Sequence, residues 1–182
     1  MSARSLLPVM LRLLKAFTLV YAVSFSFGVL AQADATPFLH DRTHVLPSGK
    51  KVGVKFRERR CATGECREAD AGIWGMDGGI PRFVTEIFSV IIDGKEFAIP
   101  EKFYKDLTNT TRLRISELNA SVIIELQGGE GAGAYTARFM LGGMCGFERR
   151  ICGEICNEIW ERSVWYSSFA YESDPFCKSG IQ

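Results

Sequence analysis

Short runs of alternating apolar and polar residues, each cut off by glycine, proline or asparagine, fill this chain beyond residue 50. Val52, Val54 and Phe56 alternate with Gly53, Lys55 and Arg57. A period of two sends successive side chains to opposite faces of a pleated backbone, so a half-buried strand is expected there. Arg82 to Ile92 is rich in Val, Ile and Phe, and Asp93-Gly94 separates it from the run 95–99. Asp-Gly between two such runs predicts a hairpin, because the tight primed turn needs positive φ. Phe83, Ile87, Val90 and Ile91 also fit one helical face; the β-branched content and the turn favour strands.

The same pattern continues. Arg112 to Glu117 and Val122 to Leu126 read as strands around an Asn119-Ala120 turn. Tyr135 to Leu141 alternates after the glycine-rich Gly128–Gly133 segment, and Phe147 to Ile151 and Ser163 to Tyr171 suggest two more. Pro100 to Leu107 predicts a two-turn helix with proline in its first turn. Residues 151–162 fit either a short helix, through Ile151, Ile155 and Ile159, or a disulfide-tied turn. Residues 58–81 form a long glycine-containing loop, and residues 34–50, without a clear period, form a loose N-terminal segment. About seven closely spaced strands and one or two short helices imply a mainly β fold, an antiparallel sandwich or small barrel.

The first 33 residues differ from the rest. Arg4, Arg12 and Lys15 precede an uncharged apolar stretch, Ala16 to Leu30, which ends in Ala31-Gln32-Ala33. A positive start, an apolar middle and an A-x-A end predict a secretory signal peptide cleaved after Ala33. The stretch falls short of a bilayer span, and no second run is long enough for one. No cysteine stands directly after it to carry a lipid, and no Arg-Arg pair precedes it. The chain beyond Ala33, 149 residues, is then periplasmic or extracellular and of a size for one β-rich domain over 51–182.

The compartment decides how to read the six cysteines, Cys61, Cys66, Cys145, Cys152, Cys156 and Cys177, all of which follow the leader. An even count in an oxidising compartment points to disulfides before metal ligands. Six cysteines allow 15 pairings. Cys61 and Cys66, flanking a turn-like tetrapeptide, form the first pair to expect, and the other four tie the C-terminal third together. The leader takes three of the 22 basic and none of the 21 acidic residues, leaving a formal charge of −2. Such a balance gives no electrostatic reason to bind nucleic acid or an anionic membrane.

No motif commits the chain to a reaction or a cofactor. Gly128–Gly133 lies between two strands, whereas a phosphate-cradling loop opens a helix. His40 and His44, four residues apart, would share a metal on a helix; in a segment beside the cleavage site a solvated tail is the better reading, and no metal is expected. C-x-x-C, G-x-S-x-G and H-E-x-x-H do not occur. Asp77, Glu86, Glu125 and Glu130 are acids that a glycosidase-like pair could draw on, with nothing in the sequence bringing two together. Asn109-Thr110-Thr111 and Asn119-Ala120-Ser121 are sequons, expected to go unused.

Aromatic residues are the most suggestive feature. Trp160, Trp165, Tyr166, Phe169 and Tyr171 cluster near the C-terminus, and Trp74 stands in a glycine-framed loop. Trp and Tyr dominate binding hot spots and also fill cores. Trp74, Trp165 and Tyr166 are the candidate binding residues. The expected role is non-enzymatic binding of a protein or cell-envelope polymer, with an inhibitor of a hydrolase as one form. A carboxylate-based cell-envelope hydrolase is the alternative, and a structural envelope component is a third.

Overall fold

In the computed structural model the described residues are 36–62, 64–66, 72–97, 99–142 and 146–166. Those beyond Thr36 belong to one compact unit. The leader, Cys145, Cys177, Phe169 and Tyr171 lie outside the described residues.

Among the described residues, nine strands form two antiparallel sheets. The first carries β1 (Leu39–Val45), β2 (Lys51–Arg60), β3 (Phe83–Ile92) and β4 (Lys95–Phe97) in that order. The second carries β5 (Thr110–Leu118), β6 (Ser121–Gly128), β7 (Tyr135–Gly142), β8 (Gly146–Cys152) and β9 (Ile159–Tyr166). Within each sheet every strand pairs with the next in sequence; short connections join most of them, while residues 61–82 separate β2 from β3. Of the two forms expected from the alternation, sandwich or small barrel, the two-sheet sandwich is what forms.

Alternation sets the core. Val52, Val54 and Phe56 face inward on β2, opposite Ile92, Val90 and Phe88 on β3. Val122, Ile124 and Leu126 on β6 and Ala137, Phe139 and Leu141 on β7 supply the other layer. Aromatic edges lock the layers: Phe88 meets Phe139 at 5.0 Å between ring centroids, and Phe103 meets Phe147 at 5.0 Å. Each such pair contributes about 0.5–1.5 kcal/mol beyond the burial of its area.

Three expectations need correction. The segment 34–50 is not loose throughout, because β1 pairs with β2 from Leu39↔Arg57 to Val45↔Lys51. An edge strand with partly solvated faces needs no apolar period; backbone pairing holds it. Pro100 to Leu107 is not a two-turn helix but a single 3-10 turn at Glu101–Phe103. Phe103, Tyr104 and Leu107 are all buried there as the chain crosses from one sheet to the other, with Tyr104 against Phe88 of the first sheet and Phe103 against Phe147 of the second. Residues 58–60 extend β2 rather than opening the loop.

Two disulfides are described. Cys61–Cys66 closes a turn after β2. Cys152–Cys156 closes the turn between β8 and β9, so the disulfide-tied reading holds for the turn itself, while Ile159 to Arg162, expected in that same turn or helix, are the start of β9. The Gly128–Gly133 segment is the connection between β6 and β7, with positive φ at Gly129 and Gly131. Asn119 and Ala120 turn the chain with φ of 50° and 65°. Among the described residues, no helix is long and apolar enough to cross a membrane.

Candidate functional site

The register of β9 explains what the protein displays. Its inward residues are held from two directions. Glu161 accepts hydrogen bonds from Arg149, whose guanidinium also binds both carboxylate oxygens of Asp106 and donates to the Phe103 carbonyl. Arg149 is buried on β8, and its charge is compensated by two acids. Burial works against that charge, but the two carboxylates outweigh it and raise the Arg149 pKa. Trp165 packs edge-on against Phe103 at 5.8 Å, with Lys102 Nζ 4.7 Å from the centre of its ring.

With Glu161, Ser163 and Trp165 turned toward the sandwich, the pleat directs Arg162, Val164 and Tyr166 outward, and Trp160, the extra residue of a bulge opposite Ile151 and Cys152, is exposed beside them. Among the described residues ten large apolar side chains are exposed, and five of them fall between Ile155 and Tyr166. They are Ile155 (86% exposed), Ile159, Trp160, Val164 and Tyr166. In the order of described strands β9 ends its sheet, so this patch lies on an edge.

The patch continues onto the loop that carries Trp74. Trp74 and Trp160 stack at 5.9 Å and 17°. Trp74 is held by a parallel bridge to Leu107 and by its carbonyl, which accepts from Thr108 N–H and Oγ1. Its Nε1 is buried with no acceptor among the described residues. Gly75 follows at φ +99°, where a Cβ would collide with the Thr108 backbone. Beneath Trp160 lies Gly153, in the loop closed by Cys152–Cys156.

The sequence-based candidates therefore fall in different places. Trp74 is partly buried and packs on Trp160. Trp165 is also partly buried, facing Phe103 and Lys102. Tyr166 is 47% exposed on the outward row. Trp160 and Ile155 complete the patch; Ile155 carried no sequence signal as a surface residue, since its spacing with Ile151 and Ile159 equally suits a buried helical face.

The outward side of the five-stranded sheet beyond β9 is charged. A hollow of about 320 Å³ is lined by Ser116, Ile123, Glu125, Arg138, Met140, Glu148 and Arg150, among others. Glu125 pairs with Arg138 at 2.8 Å. Glu148 pairs with Arg150 and, at 2.9 Å, with Arg162. Burial pushes the Glu148 pKa up, but hydrogen bonds from Arg162 and Arg150 prevail and hold it below the ordinary carboxylate value. An acid held ionised by arginines is poorly suited to donate a proton.

The remaining acids stand apart. Glu86 pairs with Arg57 at 2.9 Å on the first sheet, and Asp77 accepts the Ala132 N–H at 3.2 Å by the β6–β7 connection, where Glu130 is exposed. Glu58 is buried inside, where burial raises its pKa despite the Thr110 N–H bonded to it at 2.8 Å. Asn109, half-buried, donates to the Gly75 carbonyl and accepts the N–H groups of Arg82 and Phe83, so its carboxamide pins two loops.

The histidines sit on a strand, not in a solvated tail. His40 and His44 are half-buried on β1, with their Nε2 atoms 3.1 Å apart. Burial, followed by the neighbouring His44, holds the His40 pKa below its ordinary value. Among the described residues no three metal-binding side chains converge. No protein-family model, curated protein or solved structure matches this chain.

Proposed function

We infer that the protein is exported by its N-terminal leader, cleaved after Ala33, and works in the periplasm or outside the cell as a non-enzymatic binding domain. The observation that carries this reading is the concentration of exposed apolar side chains, Ile155, Ile159, Trp160, Val164 and Tyr166, along one sheet edge. Contiguous apolar surface on a soluble domain marks an interaction site, and aromatic residues are enriched where such sites bury most. The Cys152–Cys156 bridge ties the turn beside Trp160, and this restraint lowers the entropy lost on binding. The partner that best suits this surface is a protein; the inhibitor-like form is the most specific version.

The test uses the processed protein, immobilised and exposed to cell-envelope proteins, beside an Ile155→Asp/Trp160→Ala double variant. A partner retained by the wild type and lost by the correctly folded variant supports the reading. Sedimentation with insoluble wall polymer, equally sensitive to the variant, would replace the protein partner with a polymer. Identical retention by both proteins, or none by either, overturns the reading. Mass determination of the exported chain, with Asp34 as the expected first residue, tests the compartment.

A further inference from the structure

The geometry points to a metal site outside the aromatic edge: His40 and His44 form a two-imidazole anchor for one borderline divalent transition metal, Cu²⁺ or Zn²⁺. The pairing of β1 with β2 sets it up. His40 lies opposite Phe56, Arg42 opposite Val54, and His44 opposite Val52. All three β2 partners are buried, so both histidines project from the core-facing side of the sheet, at its β1 edge. Neither imidazole reaches the core, and both remain half-buried.

The ring placement is specific. The centroids are 5.3 Å apart with the planes at 9°, while the Nε2 atoms are 3.1 Å apart. The two nitrogens therefore lie between the rings and face each other. Two imidazole nitrogens bound to one metal at about 2.0–2.1 Å, with a ligand angle of 90–109°, stand about 2.8–3.4 Å apart. The observed separation falls inside that interval. Without metal, one Nε2–H donates to the other Nε2. With metal, the donor ring moves its proton to Nδ1, so both Nε2 lone pairs are free and no net proton is lost. Because the two nitrogens lie almost on the line between the centroids, each ring must swing by about 40° for the lone pairs to converge on a metal about 2.0–2.1 Å away.

The neighbours limit the affinity and the choice of ion. Arg42 lies between the two histidines on the same row, and its positive charge opposes a dication. Asp41 points to the other side, 3.9 Å from Lys55. Water or an exogenous donor completes the coordination. Imidazole donors favour copper and zinc over magnesium and calcium, which prefer oxygen.

The test titrates tag-free, chelator-treated exported protein with CuCl₂ or ZnCl₂ in a calorimeter, with MgCl₂ as control. One equivalent per chain is expected. Loss of an outer-sphere partner already costs about 10–100-fold in affinity, so His40→Ala and His44→Ala should each weaken binding by about tenfold or more. Electron paramagnetic resonance of the Cu²⁺ form should show hyperfine structure from two imidazole nitrogens. The site is overturned if the wild type binds no metal, if either folded variant binds as well as the wild type, or if the copper spectrum lacks those two nitrogens. The spectrum decides the matter even where a variant fails to fold.

Discussion

The Arg149 guanidinium binds both oxygens of the Asp106 carboxylate, Nη1 to Oδ1 and Nη2 to Oδ2, each at 2.7 Å. This fork joins the crossover between the sheets to β8, and through Glu161 to β9. Removing one member of a buried ion pair costs about 3–5 kcal/mol, because the remaining charge is left without compensation. Arg149→Ala should destabilise by that amount and loosen β9. Urea denaturation would measure it; a midpoint close to that of the wild type would remove the network from the account of how the patch is presented.

Glu58 links stability to pH with a definite sign. Burial raises its folded-state pKa above the ordinary 4.5, so the folded state holds the proton more tightly than the unfolded chain. The contribution is complete below pH 4.5 and is lost as pH rises through the folded value. Glu58→Gln keeps an acceptor for the Thr110 N–H and removes the titration. Its melting temperature relative to the wild type should therefore increase with pH. A difference that stays constant across that range would show that Glu58 does not titrate abnormally.

Trp160 and Ile155 separate binding from folding. Trp160→Ala removes one stacked pair, worth about 0.5–1.5 kcal/mol, and in addition the burial of the covered half of the ring, so it should cost at least that much. Ile155 is almost wholly exposed, and Ile155→Ser should change stability by no more than about 0.5 kcal/mol. Thermal unfolding of the two variants checks both figures. A large loss from Ile155→Ser would mean that this side chain is structural.

The Cys152–Cys156 bridge closes a loop of separation four under Trp160. A loop that short constrains the unfolded chain by about 2 kcal/mol. The Cys152→Ala/Cys156→Ala variant should lose about that much and should shift tryptophan emission to the red as the Trp74–Trp160 stack loosens. Peptide mapping without reductant should recover Cys61 with Cys66 and Cys152 with Cys156; other partners for these four would contradict the fold.

Much of the architecture was legible in the chain. Alternation at Val52, Val54 and Phe56, the Asp93-Gly94 turn and the glycine-rich connection after β6 are local signals, because a strand's period and a turn's φ depend on adjacent residues. β1 was not legible, since an edge strand is held by backbone bonds that any side chain permits. The helix expected at 100–107 failed because its apolar residues are used by both sheets at once, a demand visible only in three dimensions.

The sequence by itself determined the fold class and most turn positions, and it carried the expectations of export and of Cys61–Cys66 as the first pair, all from local patterns along the chain. Tertiary structure alone decided which aromatics meet solvent. Trp165 and Tyr166 are neighbours, yet one faces Phe103 and the other faces outward, because the pairing of β9 with β8 puts Trp165 opposite the buried Phe147, a register that the Glu161–Arg149 bond accompanies. It likewise turned His40 and His44 toward each other, through a strand pairing that no local pattern encodes.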